Sequence, residues 1–218
     1  MLSQEQLKSY LQAATRYQQG LNVETATFLK ERGISKEIAE SFSLGTVVDP
    51  IPEHQLYQGW LSIPYFTALG ICVGFKFRRL DDGKPKYGMA TGQKTHLFNV
   101  NALLEPKDTI AVCEGELDAI IATGALGIPA VGVPGVAAWK PHYAKLMNGY
   151  GQVLVIGDND VKEDGTNPGA EFSRRVASEV MNATIVNLPA GLDITDYYLQ
   201  NGYDTTRRLL GITDERAV

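Results

Sequence analysis

From Asp108 onward, short apolar runs alternate with segments whose apolar residues recur at helical spacing. "TIAVC", "IPAVGV", "QVLVIG" and "ATIVNL" read as strands, and their almost unbroken hydrophobic character is that of strands covered on both faces. Between them, "ELDAIIATGALG", "PHYAKLMNGYG" and "GAEFSRRVASEVM" read as helices; the last is opened by Asn167 and Pro168. A short helix, "DITDYYLQNG", closes the series. Strand and helix in strict alternation predict parallel βαβ units, hence an α/β fold built on an open parallel sheet with helices on both faces.

The first 107 residues follow a different rhythm and are expected to form an amino-terminal helical and β-rich basic subdomain, ahead of a catalytic domain over 108–218. The first 45 read as helices. Asn22 caps "NVETATFLKERG", which stops at Gly33, and Ser35 caps "SKEIAESFSLG", expected to stop at Gly45. After the proline-bearing "DPIPEHQ", "WLSIPYF" and "ICVGFKFRRL" read as paired strands, with "DDGKPKY" supplying turn residues after the second.

Composition narrows the function classes. With 218 residues, 44% of them hydrophobic and 21% charged, the chain can bury a sizeable core. No apolar stretch reaches the ~20 residues of a membrane span, and the amino terminus lacks the basic start and apolar middle of a signal peptide. A cytoplasmic protein is the expectation. Cys72 and Cys113 both lie in strand-like runs without a CxxC partner, so neither a disulfide framework nor a zinc ribbon is encoded. His54, His96 and His142 are too scattered to form a ligand set and read as structural.

A net charge of −5 argues against a protein that coats nucleic acid, but the average hides an asymmetry. Between Cys72 and Lys94, the six bases Lys76, Arg78, Arg79, Lys84, Lys86 and Lys94 face only two acids, Asp81 and Asp82. This stretch is either a solvated hairpin face or a track for phosphates.

The acids collect where an open parallel sheet puts its active sites, at the carboxyl ends of strands. Glu114 follows "TIAVC", Asp158 and Asp160 follow "QVLVIG", and Asp193 follows "ATIVNLPAGL". Asp118 lies one helical turn past Glu114 and can face the same place. Neighbouring carboxylates repel as bare anions but make good oxygen ligands for a hard divalent cation. A polar turn before a helix would also account for Asp-Asn-Asp taken alone.

"EGELD" at 114–118 and "DND" at 158–160, with "GIPAVGVPG" between, resemble the toprim domain shared by DnaG-type primases, topoisomerases and some nucleases. The segment "IPYFTALGICVGFKFRRLDDGKPKYGMATGQKTHLF" resembles what precedes toprim in bacterial and phage primases, and "LPAGLDITDYYLQNG" looks like the family's aspartate-rich closing element. The resemblance runs from about Val23 to Gly202 and implies a phage primase RNA-polymerase core. Residue by residue, Glu114, Asp158 and Asp160 match the catalytic metal-binding acids. Asp118 and Asp193 match further acids of the metal site. Arg78 and Lys86 match basic residues that handle template or nucleotide phosphates, with Lys76, Arg79 and Lys84 as their neighbours.

The resemblance also marks departures. "VKEDGTN" lengthens the loop after Asp160, and Asp196 falls one place beyond the second closing acid, where Thr195 stands. The implied activity is RNA primer synthesis on single-stranded DNA from ribonucleoside triphosphates, by Mg2+- or Mn2+-dependent nucleotidyl transfer. Without ribbon cysteines or a GxxxxGK[ST] loop, the zinc-bearing domain and the replicative helicase are expected as separate partners. A toprim nuclease using the same acids, and a non-catalytic replisome DNA-binding module, are the alternatives; "FRRLDDGKPKY" favours the primase over the nuclease.

Overall fold

The computed structural model describes residues 2–212, which divide into two compact units, one ending at His96 and the other beginning at Leu97. Among the described residues no helix is long and apolar enough to cross a membrane.

The first unit opens with helix α1 (Gln4–Gln19), started by a capping box in which Ser3 and Gln6 satisfy each other's backbone amides. Helices α2 (Val23–Glu31) and α3 (Lys36–Ser41) start on the expected caps: Asn22 accepts from Thr25 N and Ser35 from Ile38 N. Gly45 does not end α3. The chain turns at Ser43, whose φ is 53°, and Gly45 already belongs to strand β1 (Gly45–Thr46). A Cβ at Gly45 would lie 2.0 Å from the Tyr17 carbonyl oxygen, so glycine is there for a close approach of β1 to α1.

Strands β2 (Leu61–Phe66), β3 (Cys72–Arg78) and β4 (Tyr87–Gly88) complete an antiparallel sheet in the order β1-β2-β3-β4. Alternation along β3 sends Phe75 and Phe77 into a core with Tyr10, Ala13, Ala14 and Tyr17 of α1. His54 sits inside this aromatic group, 4.7 Å from the Phe75 ring and 4.8 Å from Phe77, with Nδ1 3.1 Å from the Tyr17 hydroxyl. Burial pushes its pKa down to about 4.

The second unit carries the parallel sheet. Strands β5 (Thr109–Cys113), β6 (Ala130–Gly132), β7 (Gln152–Ile156) and β8 (Ala183–Ile185) lie in the order β6-β5-β7-β8, every pair parallel. Residues 97–107 pack with this unit: Phe98 bridges to Gly132 and the Asn99 amide donates to Ala130 O. Helix α4 (Glu116–Ile120) widens into a π-helical turn over Ile121–Ala125, so the expected "ELDAIIATGALG" helix is not uniform. α5 (Pro141–Ala144) is a single turn followed by 3-10 structure, shorter than "PHYAKLMNGYG" implied. α6 (Pro168–Glu179) opens on Asn167, whose side chain accepts from Ala170 N.

α7 (Ile194–Leu209) is capped by Asp193 and runs well past the expected end at Gly202. Gly202, at φ 75° and ψ 179°, kinks it instead of ending it, because the residues beyond resume helical hydrogen bonding. The core alternates through the sheet: Ile110, Val112, Val153 and Val155 pack with Phe172 and Val176 of α6. Their strand neighbours Ala111, Cys113, Leu154 and Ile156 are equally buried, as a sheet covered on both sides requires. Cys72 and Cys113 are free, buried thiols.

Candidate functional site

The sheet order fixes where chemistry can sit. From β5 the chain crosses to β6 on one side and then to β7 on the other, so the carboxyl ends of β5 and β7 flank the point where strand order reverses. Glu114 leaves β5 at that point and Asp158 leaves β7. Glu114 N donates to Ile156 O at 3.0 Å, and Glu114 Oε2 accepts from Asp158 N at 3.0 Å. The two strand ends are thereby tied through the carboxylate itself.

Small residues make that tie possible. A Cβ at Gly169 would fall 2.1 Å from Asp158 O and 2.6 Å from Glu114 Oε2, and one at Gly157 would fall 2.4 Å from Gly169 O. The start of α6 therefore rests directly on the strand end that presents Asp158.

Asp118 lies on the first turns of α4, and desolvation pushes its carboxyl well above the usual range, aided by Asp158, Asp193, Glu114 and Glu116. This is the electrostatic signature of acids gathered round one place. Glu114 is raised chiefly by burial and, more weakly, by Asp160. Asp193 caps α7, accepting from Asp196 N at 2.7 Å, so its carboxylate is oriented by the helix start. Thr195 Oγ1 lies 3.4 Å from Asp118 Oδ1. The structure thus groups Glu114, Asp118, Asp158 and Asp193, while Asp160 is the exposed member, bonded to the Lys162 ammonium.

A match to the toprim domain family covers residues 109–204. The Gene 57 protein of Mycobacterium phage D29 is 40% identical over 153 residues, which span 68% of this chain and 96% of that protein. The chain belongs to the toprim family. A DNA primase of Clostridium acetobutylicum is 27% identical over 84% of the chain, which spans only 32% of that longer protein. The fold is that of the DnaG primase core: the Aquifex aeolicus primase (zinc binding and RNA polymerase domains) superposes with TM-score 0.78 at 21% identity, over 96% of this chain and 62% of that one. The RNA polymerase domain of Mycobacterium tuberculosis DnaG gives 0.75 at 22% identity, over 97% and 84%. A DnaG catalytic domain solved with single-stranded DNA gives 0.73 at 18%, over 94% and 80%.

The toprim carboxylates suit a hard divalent cation by their chemistry. All donors are oxygens, and their mutual repulsion is what a cation would relieve. Among the described residues, however, no three His, Cys, Asp or Glu side chains form a ready-made cage. The reasons are local: Glu114 is turned onto Asp158 N, and Asp160 is held by Lys162. Toprim folds are in general divalent-metal dependent.

In the first unit, the period-2 pleat that buries Phe75 and Phe77 puts Lys76 and Arg78 on the opposite face. Arg78 pairs in register with Tyr87 of β4 and bonds its hydroxyl. Lys76 Nζ and the Arg78 guanidinium lie 4.6 and 5.0 Å from the Tyr87 ring centroid. Arg79 is bound to Asp81 through two contacts of 2.6 and 3.0 Å, which pulls the Asp81 carboxyl down to about 2. Lys84 and Lys86 are exposed on the turn.

Three contributors escaped the sequence reading. Phe28 and Arg32 extend the cation–aromatic ladder: Arg78 lies 5.0 Å and Arg32 4.7 Å from the Phe28 centroid. No pattern of spacing links α2 to β3 in the sequence. Lys162 is the exception, since a lysine two places after the second aspartate is a local signal for an ion pair with it.

Proposed function

We propose that this chain is the catalytic core of a DNA primase, making RNA primers on single-stranded DNA by metal-dependent nucleotidyl transfer. The observation that carries the reading is the grouping of Glu114, Asp118, Asp158 and Asp193 at the switch point of a toprim sheet within a DnaG-core fold. Magnesium or manganese would be held by Glu114, Asp118, Asp158, Asp160 and Asp193 and, when bound, would polarise the attacked phosphorus and neutralise the leaving pyrophosphate.

The chain's own groups do the positioning. Asp158 N fixes the Glu114 carboxylate, Asp193 is set by the α7 start, and Thr195 contacts Asp118. Lys76, Arg78, Arg79, Lys84 and Lys86 supply fixed positive charge for template and ribonucleotide phosphates, with the Tyr87 ring as the platform on which two of them rest. The similarity to a DnaG catalytic domain solved with single-stranded DNA supports that template class. A replicative helicase and a zinc-bearing domain or protein are the partners the reading calls for, in the cytoplasm of the host.

Incubating the chain with single-stranded DNA, ribonucleotides and magnesium or manganese, and resolving the products on one gel, tests the reading. Short RNA is expected from the wild type and none from Asp158→Asn or Asp160→Asn. Shortened DNA in place of RNA would identify a nuclease, and unchanged synthesis by both variants would remove the carboxylates from the mechanism.

A further inference from the structure

The loop over residues 161–167, between Asp160 and α6, is internally built. Lys162 N donates to Thr166 O at 2.8 Å and Gly165 N to Lys162 O at 2.9 Å, closing a turn at Gly165 with φ 82°. Asp164 Oδ1 accepts from Thr166 N at 2.9 Å and from its hydroxyl at 2.6 Å. Asn167 anchors the far end, giving its amide to Asn159 Oδ1 at 2.8 Å. The product of this scaffold is the placement of one ammonium: Lys162 Nζ bonds Asp160 Oδ2, with both side chains more than half exposed.

Resting on the metal-site reading above, we propose that Lys162 is a tethered counter-ion of the carboxylate site, competing with the divalent cation for Asp160 and weakening the site's affinity for a lone ion. The Lys162 ammonium sits on the Asp160 carboxylate, and the charges of Asp158 and Glu114 lie within its electrostatic reach. A divalent ion entering among these acids has to displace the ammonium from Asp160 or bind beside a positive charge a few ångströms away. Both outcomes weaken binding, by Coulomb terms that salt attenuates. The pair is solvent-exposed, so its removal leaves the fold intact.

Manganese binding to the purified chain, followed by the electron paramagnetic resonance of free Mn2+, provides the test without recourse to activity. Lys162→Gln is expected to tighten Mn2+ binding about three- to tenfold at low salt, with the gain shrinking as salt rises. Lys162→Arg keeps the charge and should bind like the wild type. Lys145→Gln, an equal change in net charge on the exposed turn after α5, should also leave affinity unchanged. Wild-type affinity in Lys162→Gln, with weaker binding in Asp158→Asn, would overturn the counter-ion role while leaving the metal site standing. Equal gains in Lys162→Gln and Lys145→Gln would overturn it too, by showing only a net-charge effect. No Mn2+ binding by any variant at millimolar metal would overturn both the counter-ion and the carboxylate site.

Discussion

Replacing Gly169 by alanine separates a helix-propensity effect from a site-geometry effect, because the two have opposite sign. Gly169 is the second residue of α6, where alanine would ordinarily stabilise by up to about 1 kcal/mol. Here the new Cβ would lie 2.1 Å from Asp158 O, 2.7 Å from Asp158 N and 2.6 Å from Glu114 Oε2. Two of these three neighbours are backbone atoms at the end of β7 and cannot rotate away. Relief requires the strand end and the helix start to separate by on the order of 1 Å, an overpacking cost of about 1–3 kcal/mol. That separation also stretches the 3.0 Å bond from Asp158 N to the Glu114 carboxylate. A hydrogen bond to a charged group is worth about 1.5–3 kcal/mol. Against the helix gain, the expected net is a destabilisation of about 2–4 kcal/mol in the second unit.

Urea unfolding followed by Trp139 fluorescence, in a Trp60→Phe background, reads that unit alone, since Trp139 is buried in its core. Gly149→Ala is the control: its Cβ would have nothing within 4 Å, and its midpoint should stay at the reference value. Primer synthesis by Gly169→Ala should fall as well, because Asp158 and Glu114 move together. A Gly169→Ala midpoint equal to or above the reference would show that the strand end yields freely, and that glycine is not what holds the two carboxylates in place.

Asp118→Asn should stabilise the metal-free chain by on the order of 1 kcal/mol in thermal or urea unfolding, since it removes a desolvated charge repelled by Asp158, Asp193, Glu114 and Glu116. The same variant should lose primer synthesis. Lys86→Ala should weaken single-stranded DNA binding and lower the slope of log K against log salt by about 0.7, the value of one phosphate contact on a single strand. Arg78→Ala should act in the same direction, with an added loss of packing against Tyr87 and Phe28, between which Arg78 is buried; an unchanged slope in both would remove these residues from phosphate contact. His54 is neutral in its aromatic pocket, with its pKa near 4 against 6.5 unfolded, so as pH falls the unfolded chain takes up a proton before the folded one. The first unit should therefore lose up to about 3 kcal/mol of stability between pH 6.5 and pH 4, with no further loss from this group below. His54→Gln should flatten that part of the unfolding profile.

The parts of this protein whose signals are local are legible along the chain. Hydrophobic runs bounded by turns marked β5, β6, β7 and β8, because a strand buried on both faces must be apolar throughout. Asn22, Ser35 and Asn167 marked helix starts, because a cap is a bond between a side chain and amides two or three residues on. The position of Glu114, Asp158 and Asp193 just after strands or at a helix start was enough to bring them to one edge of a parallel sheet. Where a boundary depended on what lay across space, sequence was a poor guide. Gly45 is required by the approach of Tyr17, not by the end of α3, and α7 continues beyond Gly202 because the later residues still find helical partners. Which distant side chains act on one another was settled by the packing of sheet and helices. It turned Glu114 onto the Asp158 amide, set Gly169 against both, gave Thr195 to Asp118, and stacked Arg78 of β3 between Phe28 of α2 and Tyr87 of β4. The pairings among strands and helices join residues as far apart as 77 positions along the chain, and nothing in a local pattern encodes a contact that exists only once the sheet has closed.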